Sequence, residues 1–500
     1  MQEINRPISV KEVEKALHNL NGQSSPGLPS DSAYLPTPTC LIKEAATELT
    51  KPLHTLFNIM WSKGECPTSL KRDKKIFIPK PNKDDYSNPK SYRMLTLMNW
   101  LAKLYDFIIA DRFSLWLEQI NFDNDQYAYR KKTSCNHALF YLSQNIIEGF
   151  NNNEATVALF VDLEGAFDAV WHQGLIYQLY QEGIRGNFLQ ITWNLLKERM
   201  ALCEVNGKQE QIQCSETGTC QGSYSAAYYF TFFIRKMMAQ ISSKKLKYSD
   251  DGNTFRTGPA NDILQIAKET GKDLQHMVDW CHKWRMPLNL SKTKFMICSK
   301  TPINQSVTVT CNIKNVDGTS KTLSIERTKE ERILGVYYDE QMTFKPHVDY
   351  LVKSSLANIN KIRDFIFTES GLPTKYGIIL YTAYVRAKIE TSYPAWSTIN
   401  EAELRRLDTV QGLAMKMILN IKGSTSYNGL DVEAGVLPLR IRLKQVLANF
   451  GCKLMRKQDH NHMKIIMNDN FERRNVGRSA APADKIRMAM NSMKDRNSSF

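Results

Sequence analysis

Five apolar residues in a row, Val157-Ala158-Leu159-Phe160-Val161, run straight into Asp162. An apolar run without polar alternation is the pattern of a strand covered on both faces. The chain is therefore expected to build a central sheet with a carboxylate at the end of one strand. About ninety residues on stands Tyr248-Ser249-Asp250-Asp251, preceded by Leu246-Lys247 and followed by Gly252-Asn253-Thr254-Phe255. Leu246 to Tyr248 reads as a strand, Asp251-Gly252 as a turn and Asn253 onward as the returning strand, which puts two carboxylates at a hairpin tip. Buried side by side, carboxylates repel and cost several kcal/mol unless something cationic neutralises them. Taken alone, Asp-Asp-Gly reads first as a surface turn. Beside a strand ending in Asp162 it fits a site for two Mg²⁺ ions about 3.5–4 Å apart, which lower the pKa of an attacking hydroxyl and stabilise the leaving oxygens. Asp162 would bridge the ions; Asp250, with weaker support from Asp251, would complete the metal and catalytic set.

An ordered series of blocks extends this pattern. KIFIPKPNKDDYSNPKSYRMLTL spans residues 75–97, QYAYRKKTSCNHAL 126–139 and FVDLEGAFDAVWH 160–172. GTCQGS follows at 218–223, then Tyr248 to Asp251, LNLSKTK at 288–294 and RILGVYYDE at 332–340. In this order and spacing the chain resembles a reverse transcriptase of the non-long-terminal-repeat, LINE-type, jockey-like retrotransposon class; any one block alone would be weak. The resemblance covers residues of about 70–340, with a fainter likeness on both sides. It implies an α+β, right-hand polymerase with fingers, a palm built on an antiparallel sheet and a helical thumb.

The resemblance also assigns roles. Phe167, five residues after Asp162, matches an aromatic steric gate under the sugar of the incoming nucleotide, which favours dNTP over NTP; the alternative is a core aromatic. Lys80 and Arg93 match triphosphate-contacting residues, a point charge and a planar fork. Lys71, Arg72, Lys74, Lys75, Lys80 and Lys83 crowd one stretch, so a solvated basic face or a template contact is the competing reading. Gln221 and Gly222 match residues set against the nascent base pair: glycine permits close approach, and glutamine can hydrogen-bond a template. Lys292 matches a lysine near the triphosphate that acts as proton donor to pyrophosphate, with an exposed loop lysine as the alternative. Leu334-Gly335 resembles the primer-grip hairpin, or else is an ordinary turn.

Departures from the family pattern occur at Cys220, where proline is usual, at Tyr224-Ser225-Ala226-Ala227, at Met94 and at Ser249. None removes a metal ligand. They keep open a decaying copy of an element with weakened activity.

At 500 residues the chain is long enough for two to four subdomains. A formal net charge of +15 favours an anionic partner, and phosphate neutralisation makes nucleic acid the natural one. The implied partners are an RNA template, a DNA primer or target and dNTPs, with Mg²⁺, or Mn²⁺ as a substitute, as cofactor. No apolar run approaches the ~20 residues of a membrane span, and the N-terminus lacks a signal-peptide core. Ten cysteines without CxxC pairing read as reduced thiols of a nuclear and cytoplasmic protein. His460 and His462 near Cys452 lack the spacing of a zinc site.

The expected organisation is an N-terminal helical extension at 1–70, fingers at 71–150, a palm at 151–340, a helical thumb and following segment at 341–450, and a basic, flexible tail at 451–500. Helices are expected at 8–20, 41–61, 102–120, 172–200, 262–284, 346–366, 373–392 and 401–421. Lys353, Lys361 and Arg363 would face duplex or solvent. The tail has eleven Lys/Arg against five Asp/Glu and few large apolar residues after Phe471. Because Met1 stands almost at the polymerase blocks, an upstream endonuclease is expected to be absent, and no carboxylate set after 340 suggests RNase H. The leading reading is an RNA-directed DNA polymerase. Its rivals are a catalytically silent nucleic-acid-binding remnant and, against Phe167, an RNA-dependent RNA polymerase.

Overall fold

The computed structural model describes residues 3–28, 37–81, 83–120, 123–205, 207–314, 319–366, 371–421, 424–456, 467 and 480–497. His460 and His462 lie outside them.

The strands, in chain order, are β1 (Arg72–Pro79), β2 (Tyr92–Leu97), β3 (Glu154–Val161), β4 (Met200–Val205), β5 (Lys208–Gln213) and β6 (Lys244–Tyr248). They continue with β7 (Asp251–Pro259), β8 (Lys294–Cys298), β9 (Val309–Lys314), β10 (Ser320–Arg327), β11 (Glu330–Ile333) and β12 (Val336–Asp339). Among the described residues they form a six-stranded sheet ordered β6-β7-β3-β8-β10-β9, a four-stranded sheet ordered β2-β1-β4-β5 and the hairpin β11-β12. With the surrounding helices this is a mixed α/β architecture. Pairing is antiparallel except for β8 with β10 and β1 with β4.

β3 is the central element, flanked by β7 and β8 and buried from Ala155 onward. Its side chains alternate between two cores. Ala155, Val157, Leu159 and Val161 join the core that holds the helix Ile263–Lys283, while Ala158 and Phe160 join the core that holds the helix Cys135–Asn151. The unbroken apolar run is thus explained by two buried faces.

The N-terminal helix Val10–Asn19 begins in a capping box: the Ser9 hydroxyl accepts from the Glu12 N–H and the Glu12 carboxylate accepts from Ser9 N–H. Arg112, buried on the helix Trp100–Gln119, donates to Glu12 at 2.7 Å, to Arg6 O at 2.6 Å and to Pro7 O at 2.9 Å. Burial pushes the Glu12 carboxyl up, but Arg112 and Ser9 overcome it and bring it down to about 2. One guanidinium therefore fastens the N-terminal segment to the core.

Some expected elements are divided. The stretch 172–200 forms two helices, His172–Gln181 and Gly186–Leu196, because Gly183 and Gly186 both adopt positive φ between them. The stretch 373–392 is helical, but a wider π turn interrupts it at Thr382–Arg386. The expectation of a loose tail fails for Pro482–Asn497, which is a helix burying Ala481, Ala483, Ile486 and Ala489. Gly451 of the helix Leu439–Arg456 leaves room for Ile486 and Met490 of this helix, and Ala483 N–H donates to Gln144 Oε1 at 2.7 Å. No helix among the described residues is long and apolar enough to cross a membrane.

The helix Tyr224–Ile234 is capped by its own Ser223, whose hydroxyl accepts from Ala226 N–H at 3.0 Å, and its first turn gains a further acceptor from another helix. Asp106, fully buried, accepts from Tyr224 N–H at 2.6 Å, from Ser225 N–H at 3.2 Å and from the Ser225 hydroxyl. Asp106→Ala would leave these donors unpaired, so a loss of about 1–3 kcal/mol is expected, read as a lower denaturant midpoint at unchanged slope.

Candidate active site

β3 pairs with β7 so that Val161 faces Gly252, and the next residue on each chain is acidic: Asp162 on one side, Asp251 on the other. β6 and β7 close on Tyr248 and Asp251, so the two-residue turn is Ser249–Asp250, with Ser249 left-handed at φ +58°. The sequence placed that turn at Asp251-Gly252. Gly252 is instead inside β7, where a side chain would meet Met238 Cε at 2.7 Å; its lack of a Cβ serves packing, not turning. Asp250 therefore occupies the tip, and Asp251 opens the strand.

The three carboxylates sense one another. Burial, then Asp250 and Asp162, push Asp251 up to about 6. Burial also raises Asp162, opposed by Lys292 and reinforced by Asp250. Lys292 Nζ lies 3.7 Å from Asp162 Oδ2. The loop carrying it is sewn to the end of β3: Asn289 N–H donates to Asp162 O at 2.9 Å, Glu164 N–H donates to Pro287 O at 2.9 Å, and Leu163 bridges Leu288. Among the described residues no three acidic, histidine or cysteine side chains converge tightly enough to cage a cation unaided.

Phe167 stacks on Phe230 at 4.5 Å between centroids and meets Tyr129 edge-on at 6.4 Å. It is half-buried. Tyr129, itself left-handed at φ +56°, places its hydroxyl 3.3 Å from Ser249 Oγ, which links the Phe167 environment to the hairpin tip. The segment leading to Gln221 runs along the stretch after Asp162: Thr219 N–H donates to Phe167 O and Gly218 N–H to Val170 O, both at 2.8 Å. Gln221 O accepts from Thr96 N–H at 2.8 Å, so the same segment is pinned to β2. Gly222 has φ +124°, and a Cβ there would stand 2.5 Å from Thr96 O; only glycine fits.

Sequence reasoning did not single out Asp168 or Tyr129. Asp168 Oδ1 accepts from Gln221 Nε2 at 3.1 Å, which turns the amide oxygen of Gln221 away from the carboxylate. Burial raises the Asp168 carboxyl, while Gln221, Lys75 and Lys80 draw it down, so Lys80 stands within electrostatic reach of this group. A carboxylate beside the proposed gate was the available signal. At two of the departures in 220–227 the environment is defined: burial pushes the Cys220 thiol up to about 12 although Arg199 draws it down, and Ser225 donates its hydroxyl to the buried Asp106.

Lys80 donates its ammonium to Lys90 O at 2.8 Å. Arg93 is exposed on β2 opposite Ile78. Leu334 and Gly335, at φ +47° and +92°, form the turn between β11 and β12. Leu334 leans on the same apolar core as Tyr248. The hydrogen bonds thus join Asp162, Lys292, Phe167, Gln221 and Gly222 through neighbouring segments, while Arg93, Leu334 and Gly335 stand outside that network. Lys353, Lys361 and Arg363 are exposed on the helix Lys345–Ile366.

A sheet whose central strand ends in one carboxylate beside a hairpin carrying two more, with lysines around them, has the form of a nucleotidyl-transfer site. Residues 78–338 match the family model described as reverse transcriptase (RNA-dependent DNA polymerase), and the chain belongs to that family. It is 22% identical over 441 residues to the probable RNA-directed DNA polymerase from transposon BS of Drosophila melanogaster, covering 86% of this chain and 47% of that protein. It is 23% identical to the RNA-directed DNA polymerase from mobile element jockey of Drosophila funebris, over 96% of this chain and 50% of that one. A further relative, at 20% identity over 68% of this chain and 37% of its own length, is the probable RNA-directed DNA polymerase from transposon X-element of Drosophila melanogaster. The chain spans about half the length of the first two.

The raised Asp251 pKa sets a pH window. Its folded value of about 6 lies above the ordinary carboxylate value of 3.8, so desolvation of the carboxylate, with repulsion from Asp250 and Asp162 behind it, weakens the metal-free fold fully above pH 6 and not at all below about 4. Asp251→Asn is expected to raise the melting temperature of the metal-free protein at pH 7.5, with the gain disappearing by pH 4. A melting series with chelator from pH 4 to 8 checks this.

Proposed function

We propose that the chain is the reverse transcriptase of a non-LTR, LINE-type retrotransposon, copying an RNA template into DNA from a primer 3′-OH. The observation that carries this reading is the meeting of Asp162 at the end of β3 with Asp250 and Asp251 on the β6–β7 hairpin. In right-hand polymerase terms the six-stranded sheet would be the palm, residues 71–150 with the β4–β5 hairpin the fingers, and the helices from Lys345 the thumb.

Asp162 and Asp250, with Asp251, would hold two Mg²⁺ ions. Bound there, divalent ions lower the pKa of the primer hydroxyl and neutralise the leaving pyrophosphate. The remaining work belongs to the chain itself. Lys292 would hold charge near the triphosphate, and Lys80 and Arg93 would orient it from the fingers side. Phe167, backed by Phe230, would close the space under C2′ of the incoming sugar. Gly222 lets backbone approach the nascent pair, and Gln221, fixed by Asp168, presents its carbonyl oxygen there. Positioning and charge neutralisation then supply most of the rate.

The direct check is dTTP incorporation on an RNA template with an annealed DNA primer, with Mg²⁺ and then Mn²⁺. Incorporation is expected in the parent chain and absent in Asp162→Asn and Asp250→Asn, both of which keep duplex binding; activity surviving in both variants would remove the metal assignment. No incorporation, with salt-sensitive RNA binding intact, would instead mark a nucleic-acid-binding remnant.

Phe167→Ala tests the gate separately. The preference for dNTP over NTP should fall about 10–100-fold, the scale of a lost steric contact in a pocket. An unchanged ratio in single-nucleotide incorporation would assign Phe167 to packing alone.

A further inference from the structure

Resting on the polymerase reading, an ion pair beside the carboxylate trio points to a substrate contact not yet assigned. Lys90 lies in the tight turn Pro89–Ser91 that leads into β2, where its backbone is held by Asn88 Oδ1 accepting from Lys90 N–H at 2.9 Å. Glu164 stands two residues past Asp162. Lys90 Nζ is 2.7 Å from Glu164 Oε1, so this pair spans from the turn before β2 to the end of the central strand.

Three features set the pair apart from an ordinary surface bridge. Its side chains are 80% and 49% exposed, so the contact contributes little to stability and is easily exchanged. Glu164 is drawn toward its charged form by Lys90 and, more weakly, by Lys292, so two lysines act on one carboxylate. Lys80, finally, is tied to Lys90 O at 2.8 Å, and Lys292 is 3.7 Å from Asp162 Oδ2. Lys80, Lys90 and Lys292 are thus grouped around the end of β3, where among the described residues Glu164 is the anion paired with Lys90. A polyphosphate offers more charge and more acceptor oxygens than a single carboxylate.

We propose that Lys90 contacts the triphosphate of the incoming nucleotide and that Glu164 occupies Lys90 until the triphosphate displaces it. The exchange is one of ionic partners only; no covalent bond changes. Glu164 acts here as a resident competitor, which makes the two halves of one ion pair push substrate affinity in opposite directions.

The test uses the full chain with Mg²⁺ at low salt and two readouts: calorimetric binding of inorganic tripolyphosphate, and KM against kcat for dTTP on an RNA template. Lys90→Ala should weaken tripolyphosphate binding and raise KM by about tenfold, with kcat within about twofold. Glu164→Gln should tighten binding and lower KM by about threefold. In the Lys90→Ala background, the effect of Glu164→Gln should fall well below threefold, because the competitor has lost its main partner and only the weaker influence on Lys292 remains. Shifts in the same direction for both single variants would overturn the proposal. So would equal tightening by Glu164→Gln in both backgrounds, which is the signature of a general field. Tripolyphosphate binding requires no catalysis, so the two readings separate. Opposite, coupled shifts in a chain that incorporates no dTTP would retain the contact and remove the polymerase reading. Asp250-dependent incorporation with uncoupled shifts would do the reverse.

Discussion

Holding Asp162, Asp250 and Asp251 at one end of a sheet is electrostatically unfavourable, and much of the surrounding structure is organised against that repulsion. β3 is buried on both faces and paired on both edges, so Asp162 cannot drift from its neighbours. A slip of one residue in the β3–β7 register would exchange its two faces and destroy both cores at once. The apolar packing therefore enforces a placement that the charges alone would reject. Lys292 and the Asn289 hydrogen bonds temper the cost without cancelling it, and the residue remains visible in an Asp251 carboxyl lifted to about 6.

A second tier of buried polar contacts carries the segments around Gln221 and Gly222. Asp73 of β1 pairs with Arg199, both almost fully buried, at 2.6 and 2.9 Å, and this locks the four-stranded sheet to the end of the helix Gly186–Leu196. The segment from Gly218 to Gly222 is then held from three sides: by Phe167 and Val170, by Thr96 of β2, and by Asp106 at the start of the following helix. Breaking any one of these leaves buried groups unpaired, which costs far more than the bond itself contributes. Rigidity of this kind matters for nucleotidyl transfer, where rate comes largely from positioning.

The catalytic strand, its terminal aspartate and the order of the blocks were legible because they follow from local pattern: apolar run, carboxylate, spacing. Helix positions were legible for the same reason where amphipathic periodicity is strong, as at Val10–Asn19 and Ile263–Lys283. The hairpin turn was misplaced by two residues because Asp-Gly normally signals a turn, whereas Gly252 answers to the methionine side chains behind it. The C-terminal helix was read as loose because its buried face is made largely of alanine, and hydrophobic counting undervalues close approach of small residues. Asp168 and Tyr129 escaped notice because their importance lies in partners far along the chain, Gln221 and Ser249.

By itself, the sequence determined that a two-faced buried strand must end in a carboxylate, that a second acidic pair must close a hairpin, and which family the ordered blocks belong to. These are consequences of residue type and short-range spacing, which sequence carries in full. Only the tertiary structure decided which aspartate takes the hairpin tip, which lysines stand around the carboxylates and how Gln221 is turned. Those outcomes depend on side chains separated by tens to hundreds of residues, and a side chain's pKa or orientation is set by whatever folding brings within a few ångströms of it.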